Sequence, residues 1–216
     1  MTPEFAAVVN PTIHFVLNMV EEIRSGRPGV LADKRQQIRN LLDEAGRQAS
    51  RSSAAVSKQE FELAQRALVY WADEILTISD SSWQRMTLEW ELFNSQNRAF
   101  KFYVDGELEA KRSSANVIEL WYLCVVLGFE GEIVNAFSEH LNQSVPPETG
   151  EEEFRKQWAQ GLASQIQREH FADVPEQPLT GDLRTLTGSR QLFLAVGIAA
   201  GTLFVSLILL VVLAQR

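Results

Sequence analysis

Hydrophobic positions in the first 170 residues recur in steps of three and four, which is the spacing of amphipathic helices. The pattern predicts a first helix from Asn10-Pro11 to Gly26, because asparagine caps helices and proline is tolerated at the first helical position. A second helix is predicted over residues 31–49, where four apolar side chains share one face. The chain therefore begins with two helices joined by a short turn.

The strongest periodic segment starts at Ser57 and Glu60, whose spacing is typical of a capping box. Its apolar positions continue to Asp80 and cover so much of the circumference that the helix is expected at the centre of a bundle. In residues 117–129 only Glu119 is charged, which predicts a second central helix that is buried nearly all round.

The remaining helices are predicted from shorter stripes. They are a helix carrying Trp83, Met86, Trp90 and Phe93, one carrying Phe100 to Leu108, one ending near Leu141, and one that begins at Glu151. No segment shows strand alternation. We therefore predict an all-α fold of about eight helices, in one compact bundle or two apposed small bundles.

Residues 192–214 read LFLAVGIAAGTLFVSLILLVVLA, without a single charge. As a helix this run is about 34 Å long, enough to cross the hydrocarbon core of a bilayer. The predicted organisation is a helical head (1–173), a linker (174–189), a transmembrane helix (190–214) and a short tail (215–216). Gly197 and Gly201 form a GxxxG pattern, which predicts close pairing of two membrane helices in a homodimer.

The net charge and the cysteine content indicate which partners and which cellular compartment suit the head. The net charge of −8 argues against nucleic acid and favours protein partners with basic patches. The start of the chain has no basic segment typical of a signal peptide, so we expect a tail-anchored protein with a cytosolic head. The single cysteine, Cys124, cannot form an internal disulfide, which fits a reducing compartment.

Chemistry-bearing motifs are scarce. The three histidines stand apart from each other and from Cys124, so no catalytic, cofactor or metal site is predicted and the protein is expected not to be an enzyme. The adjacent acids Asp73 and Glu74 are the exception. Helical geometry predicts that Asp73 points away from the main apolar stripe, on the side of Glu62 and Arg66, while Glu74 is partly desolvated. The pair is either an internal contact that fixes helix packing or an acidic docking spot for a partner.

Four segments, in this order, carry a resemblance to a known family: ALVYWADEIL at 67–76, LEWELF at 88–93, Phe102-Tyr103, and IELWYLCVVLGFEG at 118–131. They resemble the DotU/TssL family, the inner-membrane subunits of type VI secretion systems, called IcmH in the related type IVb systems. The positions that match the family signature are Trp71, Trp83, Phe93, Glu119, Leu120, Tyr122, Cys124, Gly128, Phe129 and Gly131. One departure is Asn97-Arg98-Ala99, which replaces the small or glycine-rich residues usual before the Phe102-Tyr103 pair.

The resemblance implies a cytoplasmic head of two small helical bundles on one membrane helix in the bacterial inner membrane. It also implies an IcmF/TssM-like membrane partner, recruitment of the baseplate, and an outer-membrane lipoprotein in the same complex. Asp73 and Glu74 fall on the family's acidic pair, which favours partner docking. The expected function is therefore a scaffold in a type VI membrane complex. The alternatives are a stabilising subunit of a type IVb system and an unrelated tail-anchored helical adaptor.

Overall fold

The computed structural model describes residues 1–27, 29–51, 55–146 and 148–172, and every regular element in them is helical. The helices are α1 (Pro3–Arg24), α2 (Leu31–Ala49), α3 (Lys58–Ser79), α4 (Leu88–Phe93), α5 (Arg98–Leu108), α6 (Ala115–Val126), α7 (Ile133–Asn135) and α8 (Glu151–Ala172). Shorter 3-10 turns cover Ser81–Arg85 and Ala110–Arg112, and a π turn, Ala136–His140, extends α7. The all-α prediction is confirmed for this part of the chain.

Helix α3 is the central element, and its start follows from local sequence. The hydroxyl of Ser57 accepts a hydrogen bond from the backbone N–H of Glu60 at 3.2 Å, and the Glu60 carboxylate accepts one from the Ser57 N–H at 2.9 Å. This reciprocal pair confirms the predicted capping box. The predicted break at Asp80 and the predicted bounds of α2 are also confirmed.

Helix α1 begins earlier than the prediction. Its N-cap is Thr2, and Pro11 lies inside the helix. The residues upstream of the proline include Phe5 and Val9, both fully buried, so the amphipathic stripe extends past the expected start. Burial of such side chains contributes about 1.5–3 kcal/mol each, which offsets the hydrogen bond that the proline removes. The predicted start at Asn10-Pro11 is therefore wrong.

The segment after α3 also differs from the prediction of one continuous helix. The 3-10 turn at Ser81–Arg85 is followed by the separate helix α4, which begins at Leu88. Trp83 is buried, whereas Trp90 is 55% exposed, so the expected common stripe does not exist. The break lets the Trp83 indole turn inward, to a hydrogen bond with Asp73.

The described helices share one continuous hydrophobic core. Helix α6 contributes Val117, Ile118, Leu120, Trp121 and Cys124 to it. Its last turn leaves Val126 59% exposed, so burial nearly all round is wrong for the C-terminal end. The N-cap of α6 is Ser114. The division of the head into two bundles stays a prediction.

The predicted membrane segment lies beyond the described part of the chain. The linker (174–189), the transmembrane helix (190–214), the tail (215–216) and the Gly197/Gly201 pattern all fall outside it. Among the helices that are described, none is both long and apolar enough to cross a membrane.

Candidate partner-docking site

Asp73 lies in the interior and organises the start of α4. Its carboxylate accepts hydrogen bonds from the Trp83 indole N–H at 2.7 Å, the Leu88 backbone N–H at 2.9 Å and the Glu89 backbone N–H at 2.6 Å. The N-cap residue of α4, Thr87, makes no side-chain capping bond. Asp73 thus satisfies the first amide groups of α4 from a neighbouring helix, at the end where a negative charge is favourable.

Burial dominates the acidity of Asp73, whose side chain has no exposed surface. Desolvation raises the pKa of its carboxyl from 3.8 to about 6, although the N–H donors of Glu89 and Leu88 and the indole of Trp83 work in the opposite direction. The carboxylate therefore stays charged at neutral pH at a cost in stability.

This shift predicts a pH dependence of stability that belongs to Asp73. Because the pKa of Asp73 in the folded state is above its unfolded value, the folded protein binds the proton more tightly. Protonation of Asp73 therefore stabilises the fold at low pH, and this stabilisation is lost as pH rises through about 6. Between pH 7.5 and pH 5 the chain should gain about 1.4 kcal/mol of unfolding free energy relative to the Asp73→Asn variant. Denaturant unfolding of both proteins at a series of pH values measures the difference. A difference that does not change with pH contradicts the assignment.

Glu74 points to a different set of partners. One carboxylate oxygen accepts a hydrogen bond from Nε of Arg98 at 3.0 Å, and the other accepts one from the backbone N–H of Gly131 at 3.3 Å. Its side chain is 16% exposed, and that of Arg98 is 15% exposed. Glu74 therefore links α3 to the start of α5 and to the loop after α6, and it reaches solvent at the edge of this contact.

A third carboxylate, Glu89, completes the network and is fully buried. One of its oxygens accepts a hydrogen bond from the Asn97 backbone N–H at 2.7 Å. The other has no hydrogen-bond partner in the described structure and lies 3.8 Å from Arg98. We call Asp73, Glu74, Glu89 and Arg98 the α3–α5 network.

The sequence-predicted pair is thus divided between two roles. By helical spacing Asp73 lies on the side of Glu62 and Arg66, as expected. Its carboxylate is nevertheless buried and does not pair with Arg66, which forms ion pairs with Asp105 and Glu109. Asp73 lies in the interior and cannot touch a partner in this conformation, whereas Glu74 is at the edge. Sequence reasoning missed Glu89 and Arg98 as site residues. An acid between Leu88 and Trp90 was the one available hint, but nothing local indicated its distant cation.

Most residues of the family signature support the fold. Trp71, Trp83, Leu120, Cys124 and Phe129 are buried, and Phe93 and Tyr122 are partly buried. Burial raises the pKa of the Cys124 thiol, so this side chain behaves as a small hydrophobe. Glu119 is paired with the amino group of Met1.

The glycines of the signature shape the loop after α6. Gly128 and Gly131 have φ values of +99° and +54°, which favour glycine. The backbone N–H of Glu132 donates to the carbonyl of Ala99 at 2.7 Å, and the Tyr103 hydroxyl donates to the carbonyl of Glu130 at 2.5 Å. These two hydrogen bonds hold the loop against α5. In this position the backbone N–H of Gly131 donates to the Glu74 carboxylate of α3.

Metal-binding geometry is not found in the part of the chain that the structure describes, since no group of three or more His, Cys, Asp or Glu side chains is arranged to hold an ion. The α3–α5 network offers carboxylates, amides and one guanidinium. Of these groups only the Glu74 carboxylate and the Arg98 guanidinium reach solvent, where they suit recognition of a charged group, and the network contains no activated nucleophile.

Comparison with known proteins gives one result. The family described as "Type VI secretion system protein DotU" matches residues 5–215, which is nearly the whole chain. No curated protein and no solved structure matches the sequence. DotU proteins are structural subunits of the secretion system and are not known as enzymes. This match and the helical fold agree, and the chain belongs to the DotU family of type VI secretion system proteins.

Proposed function

We propose that the protein is a non-enzymatic scaffold of the type VI membrane complex, anchored by residues 190–214 in the bacterial inner membrane with its head in the cytoplasm. An IcmF/TssM-like protein, an outer-membrane lipoprotein and a second copy paired through Gly197 and Gly201 are its proposed neighbours. The family match supports the type VI machine over type IVb and over an unrelated adaptor. The proposal also includes the arrangement of the head as two apposed bundles.

The head is proposed to dock the baseplate at the α3–α5 network. The observation that carries this is the difference between the two acids: Asp73 is buried under α4, whereas Glu74 is 16% exposed at the edge of the network. Asp73 acts as a positioning residue, since it holds the helix that carries Trp90. Glu74 supplies the contact to a cationic group of the baseplate.

Exposed apolar side chains near this network support a protein interface. Trp90 of α4 is 55% exposed, and Ile78 of α3, one helical turn after Glu74, is 64% exposed. Large aromatic side chains on a surface are typical anchors of protein–protein contacts. A charge at the rim combined with apolar anchors is the usual composition of such interfaces.

The test is recovery of partners with the full chain from solubilised membranes. Glu74→Lys places a cation against Arg98 and against the proposed cationic group, so the baseplate recovered should fall at least about tenfold, a loss of roughly 1.4 kcal/mol or more. The readout is quantitative mass spectrometry of the purified complex, with circular dichroism to show that the helices remain.

Glu62→Lys is the matched control, because Glu62 lies on the same helix with a side chain that is 55% exposed. It should leave recovery of the baseplate unchanged. Equal recovery with both variants contradicts docking at Glu74. Absence of a large IcmF-like protein from the wild-type preparation contradicts the scaffold itself.

A further inference from the structure

The guanidinium of Arg98 is already paired with the carboxylate of Glu74, which is the proposed docking contact. Its Nε donates to Glu74 at 3.0 Å, and one terminal nitrogen donates to Thr77 at 3.4 Å. The free head therefore covers its own acidic contact with an internal cation. A cationic partner side chain that binds Glu74 has to take the place of Arg98.

The same guanidinium has a second carboxylate within reach. Glu89 is fully buried, and its second oxygen lacks a hydrogen bond although it lies 3.8 Å from Arg98. A buried carboxylate oxygen without a hydrogen bond carries a desolvation cost that a closer guanidinium would relieve. A small movement of the Arg98 side chain is enough to close this distance.

Charge in the network is also unbalanced. Asp73, Glu74 and Glu89 provide three carboxylates against the one guanidinium of Arg98. Buried like charges repel, so one cation shared between two carboxylates leaves both partly uncompensated. A second cation brought from outside would let each of the two carboxylates hold a cation of its own.

We propose that Arg98 is an internal competitor for docking, paired with Glu74 in the free head and transferred to Glu89 when a lysine or arginine of the baseplate binds Glu74. This inference rests on the proposed function, because it presumes that Glu74 is the docking contact. Arg98 lowers the affinity, because the incoming cation has to displace it from Glu74. Glu89 reduces this cost, because its carboxylate pairs with the displaced Arg98. Glu89 influences binding without touching the partner.

Three variants of the full chain in detergent test this against the purified baseplate of the same secretion system, with affinity measured by biolayer interferometry. Arg98→Gln removes the competitor and should tighten binding by about two- to fivefold, the range expected for a partly exposed ion pair. Glu89→Gln keeps an acceptor for Asn97 and removes the receiving charge, so it should weaken binding by a similar factor. The double variant should bind with the same affinity as Arg98→Gln alone, because Glu89 affects binding only through its pairing with Arg98.

The controls separate this inference from the proposed function. Arg47→Gln removes an arginine whose side chain is 65% exposed and which pairs only locally with Glu44, and it should leave the affinity unchanged. If Glu74→Gln weakens binding but Arg98→Gln leaves it unchanged or weakens it, Arg98 is not a competitor. Docking at Glu74 would then still stand. Unchanged binding by Glu74→Gln overturns both. Thermal melts identify any variant that has lost its fold, and Arg98→Lys, which keeps the charge, should stay close to wild type.

Discussion

Replacing Asp73 with alanine should lower the free energy of unfolding by about 3–6 kcal/mol. Three buried donors lose their acceptor at once, each at a cost of about 1–3 kcal/mol, and removal of the desolvated carboxylate offsets part of that sum. These donors are the Trp83 indole N–H and the backbone amides of Leu88 and Glu89. Helix α4 has no side-chain cap of its own to replace them. Guanidinium unfolding of the full chain in detergent, followed by circular dichroism, measures the loss.

Glu62→Ala is the matched control for this experiment. It removes an exposed carboxylate from the same helix, paired with Lys58 at 3.7 Å, and should change the unfolding free energy by less than about 0.5 kcal/mol. If Asp73→Ala were as mild as Glu62→Ala, the interior role of Asp73 would be excluded, and its carboxylate would have to face solvent.

Gly131→Ala should be nearly as damaging, with an expected loss of about 3–5 kcal/mol, because backbone strain and a steric clash combine at this position. A Cβ atom there would lie 2.4 Å from the carbonyl oxygen of Ala99 and 2.6 Å from the ring of Phe129. The carbonyl belongs to the backbone and accepts the Glu132 N–H, so it cannot yield cheaply. The displaced loop would also withdraw the Gly131 N–H from Glu74.

Gly26→Ala isolates the strain from the clash. Gly26 has a φ of +70°, and nothing lies within 4 Å of its would-be Cβ. Only the left-handed backbone cost of about 1–2 kcal/mol should appear. Denaturant unfolding of both variants gives the comparison, and equal losses would show that the contact with Ala99 is not tight.

Local signals were sufficient where a helix end is determined by its own neighbours. The Ser57–Glu60 capping box could be predicted because its two residues are only three positions apart. The bounds of α2 followed from the spacing of its apolar residues. The all-helical class follows from the repeated spacing of apolar side chains, which does not depend on how the helices pack. The acidic pair Asp73-Glu74 was also visible, as the two charges in the otherwise uncharged stretch 67–79.

Tertiary contacts overrode local signals in two places. At Asn10-Pro11 a good start signal lost to the burial of apolar side chains upstream. After α3, a periodic stripe from Trp83 to Phe93 was divided because Asp73 holds the amides of Leu88 and Glu89. Such competition is decided by burial and long-range hydrogen bonds, which local propensity does not contain.

The sequence by itself determined that this protein is helical, that two adjacent acids stand out on its central helix, and that its motifs are those of the DotU family. Only the tertiary structure decided what each acid does. Adjacent residues on a helix point about 100° apart, so Asp73 turns toward α4 while Glu74 turns toward Arg98 and the loop at Gly131. Their partners lie 10 to 57 positions away along the chain, and packing brings them together.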